Sequence, residues 1–286
     1  MNEVTIASSA KINLFLELLG RRQDGYFQIE TVLQEIDLHD DISIKNKQGA
    51  GIDVKVLPSL SISKEENIAY KAAELLCQKT GRDGCGVQIF IEKRIPVGRG
   101  LGGGSSNAAA VLKGLNELWE LGLSREELAK LGAELGMDVP FFIYGGTCLG
   151  TQRGEIVEPL EGFSGVDIVI FWPDFPVSTA EVYGKVSRNL TRTKRSAKFL
   201  IDCLKAKDFD GIDKNIFNRL ENVALKIYPS LAGFKEKISP FSANKIIMSG
   251  SGSAFFSVLR GKLKNKKNLF DELRKLKGGC YIGKTL

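Results

Sequence analysis

A chain of 286 residues that is 43% hydrophobic and 26% charged has the composition of a globular protein and room for two domains, each with its own core. Its net charge of +6 is spread along the sequence, and the denser basic runs, Arg192–Arg195 and Lys262–Lys277, read as solvated faces, so no nucleic-acid partner is expected. The single histidine, His39, excludes Ser-His-Asp, Cys-His and multi-histidine metal chemistry, and five cysteines without a CxxC exclude a zinc site and a disulfide framework.

The opening Met1-Asn-Glu3 alternates polar with apolar, unlike a signal peptide, and a cytoplasmic location follows by default. Val4–Ala7 and Ile12–Leu19 read as strands broken by the small residues Ser8-Ser9-Ala10. Thr31–Leu38 and Ile42–Lys45 read as an antiparallel pair around an acidic turn that holds His39 in a structural role. Ser63-Lys-Glu-Glu66 is a capping box opening a helix with Ile68, Ala72, Leu75 and Leu76 on one stripe. Val87–Glu92 alternates as a strand and feeds the run Pro96-Val-Gly-Arg-Gly-Leu-Gly-Gly-Gly-Ser-Ser106. Behind that run, Ala108, Val111, Leu115 and Leu118 recur at helical spacing, and Ser124–Glu127 caps a further helix that ends at Gly136.

Gly146–Thr151 reads as a strand and Pro159–Gly165 as a linker, dividing a domain over residues 1–158 from one over 159–286. The second half alternates again, with a strand Asp167–Trp172 and helices around Thr179–Val186, Ser196–Ala206 and from Asn218. Val166–Trp172, the longest apolar run, is too short for a bilayer, so no membrane partner is expected. A strand Lys245–Met248, a second glycine turn Ser249-Gly-Ser-Gly-Ser253, a strand Phe255–Leu259, a helix to Lys277 and a closing strand complete an α+β pattern.

The run Pro96–Ser106 places unpaired amides at a helix start, an arrangement suited to phosphate. Ser105 and Ser106 fall where an N-cap belongs, and their hydroxyls equally suit phosphate or a metal. Gly98-Arg-Gly-Leu-Gly-Gly103 spells the dinucleotide fingerprint, but Lys93–Val97 separates it from the strand and no acid closes the next strand. Gly278–Thr285 spells a Walker A motif, yet no helix follows it in this sequence, so it is a chance match. By spacing alone Asp138, in Asp138-Val-Pro140, favours a helix cap, and Lys11 is equally a solvent-facing strand residue or a functional one.

Ala10-Lys-Ile-Asn13, the glycine-serine run and Ser249–Ser253 resemble, in order, the motifs of the GHMP kinases (galactose, homoserine, mevalonate and phosphomevalonate kinases). Gly20-Arg-Arg-Gln-Asp-Gly-Tyr26, Leu101–Ala110 and Asp138-Val-Pro-Phe-Phe142 add a likeness to the branch whose acceptor carries a cytidine diphosphate, strong from residue 6 to about 155 and thinner afterwards. The resemblance implies a two-domain α+β architecture, with a ribosomal-protein-like nucleotide domain and a ferredoxin-like C-terminal domain. It implies ATP as phosphoryl donor, Mg²⁺ carried by the nucleotide with no metal site of the protein's own, and a small-molecule acceptor.

On the same resemblance, Asp138 becomes the proton acceptor and Lys11 the lysine that stabilises it. ATP falls to Pro96, Val97, Gly98, Arg99, Gly100, Leu101, Gly102, Gly103, Gly104, Ser105 and Ser106. The cytosine falls between Tyr26 and Tyr183, with Asn13, Asp24 and Thr179 as polar contacts to the acceptor. Phe27 stands where the branch usually has histidine, which removes a side-chain hydrogen bond and keeps homoserine, mevalonate or sugar-alcohol acceptors in view. A non-catalytic nucleotide-binding regulator is the rival of another class. A monomer or weak homodimer is expected.

Overall fold

The computed structural model describes residues 2–82, 84–186, 195–260, 271, 273, 275 and 277–286, so most of both basic runs and of the helix expected before Lys277 lies outside the described residues. The chain forms two compact units. The first gathers residues 1–10, 38–96 and 102–145, and the second 11–37, 97–101 and 146–286.

In the first unit, β1 (Glu3–Arg21) contributes its opening residues and β2 (Phe27–Asn46) its closing ones, beside β3 (Gly51–Leu57) and β4 (Gly86–Glu92) in the order β3-β4-β2-β1. β4 pairs antiparallel with β2 and parallel with β3. Four helices complete the unit: α1 (Ile68–Lys79), α2 (Gly103–Leu118), α3 (Arg125–Leu135) and α4 (Val139–Tyr144). The expected stripe Ala108, Val111, Leu115 and Leu118 is buried. α2 lies so close to the sheet that a Cβ on Gly114 would meet Ile44 at 2.5 Å, which is why glycine sits mid-helix despite its low propensity.

Three expectations are corrected here. β1 is unbroken: Ser8 and Ser9 stay in the strand because a small side chain lets Ser8 Oγ meet Ser106 Oγ at 2.7 Å. β2 is likewise one strand, with no turn at His39, because Asp40 is buried against partners distant in sequence. Ser63 and Glu66 do exchange capping hydrogen bonds, but α1 starts later, at Ile68, with Asn67 as its cap. The Ser124–Glu127 box caps α3 as expected.

The second unit takes the remaining parts of β1 and β2, then β5 (Thr147–Thr151), β6 (Ile156–Pro159), β7 (Asp167–Trp172), α5 (Thr179–Gly184), α6 (Lys198–Ala206), α7 (Phe209–Asn215), β8 (Phe217–Asn218), α8 (Glu221–Ile227), α9 (Pro229–Ile238), β9 (Ile247–Met248), β10 (Phe255–Val258) and β11 (Gly279–Lys284). One sheet runs β6-β5-β2-β1-β8 and a second β11-β7-β10-β9. Its core gathers Leu16, Leu18, Phe27, Phe171, Phe234 and Phe255. The helix expected from Asn218 is instead a two-residue parallel strand on β1 followed by α8. The Pro159–Gly165 stretch is no linker: Phe163 is 1% exposed, and its N–H donates to Thr147 Oγ1. The Walker-like Gly278–Thr285 is spent on β11, antiparallel to β7. Among the described residues, no helix is long and apolar enough to cross a membrane.

Glu17, 1% exposed, is held in this unit by a two-point pair with Arg219, Nε at 2.7 Å and Nη2 at 2.6 Å. Burial raises its carboxyl, but the Arg219 hydrogen bond, the N–H groups of Arg195 and Leu18 and the Arg219 charge outweigh that and hold it below the ordinary 4.5. A depressed folded-state value gives stability that is present above the unfolded value and lost as pH falls through the folded one. The melting temperature is therefore expected to drop below pH 4.5, with a shallower drop in Glu17→Gln, measured by thermal melts between neutral pH and pH 3 or so.

Candidate active site

In the second unit, residues from three distant motifs converge. The Lys11 N–H donates to the Leu101 carbonyl at 3.0 Å, tying β1 to the glycine run. Ser249 Oγ donates to the Gly100 carbonyl at 3.0 Å, and the Ala254 N–H donates to the Arg99 carbonyl at 3.0 Å, tying the second glycine turn to the same segment. Asn218 Nδ2 donates to the carbonyls of Met248 and Gly250, each at 2.7 Å, and holds that turn from below. Gly100, with φ of +75°, has no room for a side chain, since a Cβ would meet the Ser249 carbonyl oxygen at 2.3 Å. Gly100→Ala is expected to lower the melting temperature by about 2 °C or more, because the left-handed backbone alone costs about 1–2 kcal/mol. Thermal melts of the variant beside the parent check this.

Gly98, Gly100 and Gly102 have φ of +70°, +75° and +73°, and Arg99 and Leu101 between them do not. Such alternation turns successive N–H groups to one side, the backbone arrangement that cradles anions. Arg99 adds the run's one fixed charge. Its Nε is buried without a hydrogen-bond partner, Nη1 reaches Ser253 Oγ at 3.4 Å, and burial pushes the guanidinium below its ordinary value against the pull of Asp174. A desolvated cation with an unused donor suits a phosphate oxygen.

Lys11 is 3% exposed, not solvent-facing, and its ammonium donates to Asn13 Oδ1 at 2.6 Å. Asn13 Nδ2 donates to Thr31 Oγ1 at 2.9 Å, so that amide is fixed in orientation. Thr179 and Ser251 share a hydroxyl contact of 2.7 Å, which brings α5 to the second glycine turn.

Tyr26 is 57% exposed, with the Arg153 guanidinium 5.4 Å from its ring centroid. Tyr183 lies against Phe27, centroids 5.9 Å apart and planes at 39°. Phe27 itself is only 8% exposed, with Arg21 over its ring, and belongs to the core. Asp24 accepts from Arg22 Nε at 3.0 Å and from the Tyr26 N–H at 3.1 Å. Desolvation raises its carboxyl, but the Arg22 and Tyr26 hydrogen bonds and the charges of Arg22 and Arg153 leave it below the usual value.

In the first unit, α2 is opened by Gly102, in the left-handed region, without a side-chain cap. Ser105 and Ser106 therefore lie inside the helix, not at its cap as expected. A buried network fixes this helix start. Asp40 Oδ1 accepts from the N–H groups of Arg94 at 2.7 Å and Ile95 at 2.9 Å, while Oδ2 accepts from Lys93 Nζ at 2.5 Å and Asn107 Nδ2 at 2.8 Å. Asn107 also donates to Ser8 Oγ at 2.9 Å. Asp40, Lys93, Asn107 and Ser8 escaped the sequence reading. Asn107, inside the Leu101–Ala110 motif, is the signal the sequence offers for them. Asp138 sits at the N-cap position of α4, yet its carboxylate makes no capping hydrogen bond.

Residues 67–146 match the family model for the GHMP kinases N-terminal domain. The chain is 43% identical over 256 residues to a 4-diphosphocytidyl-2-C-methyl-D-erythritol kinase of Shouchella clausii, covering 89% of this chain and 85% of that protein. The chain belongs to this family of GHMP kinases. A Clostridioides difficile member is 42% identical over 281 residues, covering 96% of this chain and 94% of its own. A crystal structure of 4-(cytidine 5'-diphospho)-2C-methyl-D-erythritol kinase superposes with a TM-score of 0.82 at 32% identity, covering 99% of both chains. As a GHMP kinase the chain is an ATP-dependent enzyme with a small-molecule acceptor, and its α+β fold with two sheets is the one its motifs led us to expect.

Proposed function

We propose that the chain transfers the γ-phosphoryl group of ATP to a hydroxyl of 4-diphosphocytidyl-2-C-methyl-D-erythritol, a step of the non-mevalonate isoprenoid pathway, in the cytoplasm and as a monomer or weak homodimer. The observation that supports this acceptor most is the 43% identity to a relative of that name, spanning 85% of the relative. The glycine run supports the phosphate end: alternating left-handed glycines and the unused Arg99 donor suit the polyphosphate of a nucleotide.

Among the described residues, no group of three His, Cys, Asp or Glu side chains could hold a metal ion, and Pro96–Ser106 contains no carboxylate. Mg²⁺ would arrive on the nucleotide, and the side chains of the run would offer it only the hydroxyls of Ser105 and Ser106. When bound, the ion neutralises phosphate charge during transfer. Asp138 accepts the proton of the attacking hydroxyl, and the Lys11 ammonium stabilises negative charge as it develops. Pro96, Val97, Gly98, Arg99, Gly100, Leu101, Gly102, Gly103, Gly104, Ser105 and Ser106 hold ATP. Asn13, Asp24, Tyr26, Thr179 and Tyr183 face the acceptor in this assignment, Phe27 meets it through its backbone, and Tyr26 is the exposed ring for the cytosine.

Tyr26→Ala is expected to raise the acceptor KM by roughly 5- to 150-fold, the equivalent of one lost base–aromatic stack of ~1–3 kcal/mol. Steady-state kinetics at saturating ATP check it. The acceptor itself is tested by ADP release with the cytidyl compound, homoserine and mevalonate side by side. Turnover with the cytidyl compound alone is expected. Turnover only with homoserine or mevalonate retires the assignment.

A further inference from the structure

Phosphoryl transfer uses none of the five cysteines, yet two of them lie together. Cys77, near the end of α1, and Cys85, in the turn before β4, hold their sulfur atoms 3.0 Å apart. The backbone maintains that approach: the Arg82 N–H donates to the Cys77 carbonyl at 2.9 Å, and the Cys85 N–H donates to the Arg82 carbonyl at 3.0 Å. A disulfide requires about 2.05 Å between sulfurs, so about 1 Å of side-chain movement closes the bond. Cys77 is buried and Cys85 half-buried, so Cys85 is the more accessible of the two to a reagent. Cys148 is a contrast, its thiol pushed up to about 12 by burial and by the Glu35 charge, which leaves it protonated and inert at neutral pH.

We propose that Cys77 and Cys85 form a reversible redox site whose reagent is a low-molecular-weight disulfide of the oxidised glutathione type. The Cys85 thiol loses its proton to solvent, and the thiolate attacks one sulfur of the reagent. That S–S bond breaks, a mixed disulfide forms, and one small thiolate leaves. The Cys77 thiol then gives its proton to the first small thiolate, and the Cys77 thiolate attacks the Cys85 sulfur and expels the second small thiolate, which takes a proton from solvent. Two protein thiols are oxidised by two electrons in all, and one reagent disulfide is reduced to two thiols.

The bond ties the end of α1 to the turn leading into β4. Ile68, at the other end of α1, packs toward Gly104 and Gly136. A helix of 12 residues separates these ends by about 18 Å. The site is therefore a staple in the scaffold, and kinase turnover in the oxidised protein stays within about twofold of the reduced value.

The test treats reduced full-length protein with oxidised glutathione, blocks the remaining thiols with iodoacetamide and maps the peptides by mass spectrometry. The expected result is a Cys77–Cys85 cross-link with Cys148, Cys203 and Cys280 blocked, reversed by dithiothreitol. Cys77→Ser under the same treatment is expected to stop at the mixed disulfide on Cys85. The oxidised wild type is expected to melt above the reduced form, an increment that Cys77→Ser lacks. Blocked thiols at both 77 and 85, a cross-link through another cysteine, or an oxidised form that melts at or below the reduced one would overturn the proposal.

Discussion

Asp138→Asn is expected to lower kcat by at least about 10²-fold, with Lys11→Ala producing a loss of the same order, as removal of groups that manage a proton or its charge commonly does. The asparagine keeps the shape of the aspartate but cannot accept the proton of the attacking hydroxyl. The change removes no capping hydrogen bond from α4. Lys11 differs in kind. Its side chain is 3% exposed and bonded to Asn13, so truncation also empties a small buried volume, and the melting temperature must be recorded beside the rate. The ADP-release assay at saturating ATP and acceptor separates the two effects. Near-normal kcat in both variants contradicts the catalytic assignment.

Asp40→Ala is expected to be the most damaging substitution for stability. The carboxylate is 0% exposed, and its partner Lys93 has a side chain 7% exposed. Removing one member of a buried ion pair strands the other, at about 3–5 kcal/mol. Two backbone N–H groups, those of Arg94 and Ile95, and the Asn107 amide lose an acceptor as well. The melting temperature is expected to fall by about 6 °C or more, at ~2–4 °C per kcal/mol for a protein of this size class. Because the same carboxylate anchors the segment that runs into Pro96, the KM for ATP is expected to rise in the molecules that remain folded. A double variant, Asp40→Ala with Lys93→Met, removes the stranded ammonium and is expected to recover part of the loss. A single variant that melts with the wild type would show that the buried pair is not what holds β2 straight.

Local patterns were legible where the physics is local. The Ser124–Glu127 box reads correctly because both partners lie within one helical turn. The stripe of α2 reads correctly from its helical spacing, and the strand Asp167–Trp172 from a continuous apolar run whose residues 168–171 are buried on both faces. The misreadings have the opposite character. Ser8-Ser9-Ala10 looked like a break and His39-Asp40-Asp41 like a turn, since small and acidic residues favour both. What keeps them in strands is a partner roughly 50 to 100 positions away, Ser106 for Ser8 and the 93–95 segment for Asp40. Nothing in a window of ordinary length carries that information.

The site divides the same way. Glycines at 98, 100 and 102 could be picked out by composition, but the reason Gly100 admits no side chain is the Ser249 carbonyl, almost 150 residues on. Ser105 and Ser106 suit a cap by their side chains, whereas a left-handed glycine opens the helix. The ordered motifs of the family anticipated that Ala10–Asn13, the glycine run and Ser249–Ser253 matter together. They did not reveal Asn218, which fixes the second turn from a two-residue strand too short to be seen in a sequence.

The central claim is that ATP is spent on one hydroxyl of the cytidyl acceptor. Its most direct test is the identity of the product: the purified chain, ATP, Mg²⁺ and 4-diphosphocytidyl-2-C-methyl-D-erythritol are incubated together, and the acceptor is recovered for phosphorus NMR and mass spectrometry. The expected product carries one added phosphomonoester with its diphosphate intact, formed in step with ADP. ADP released without any change in the acceptor, or a cleaved diphosphate, would contradict the account.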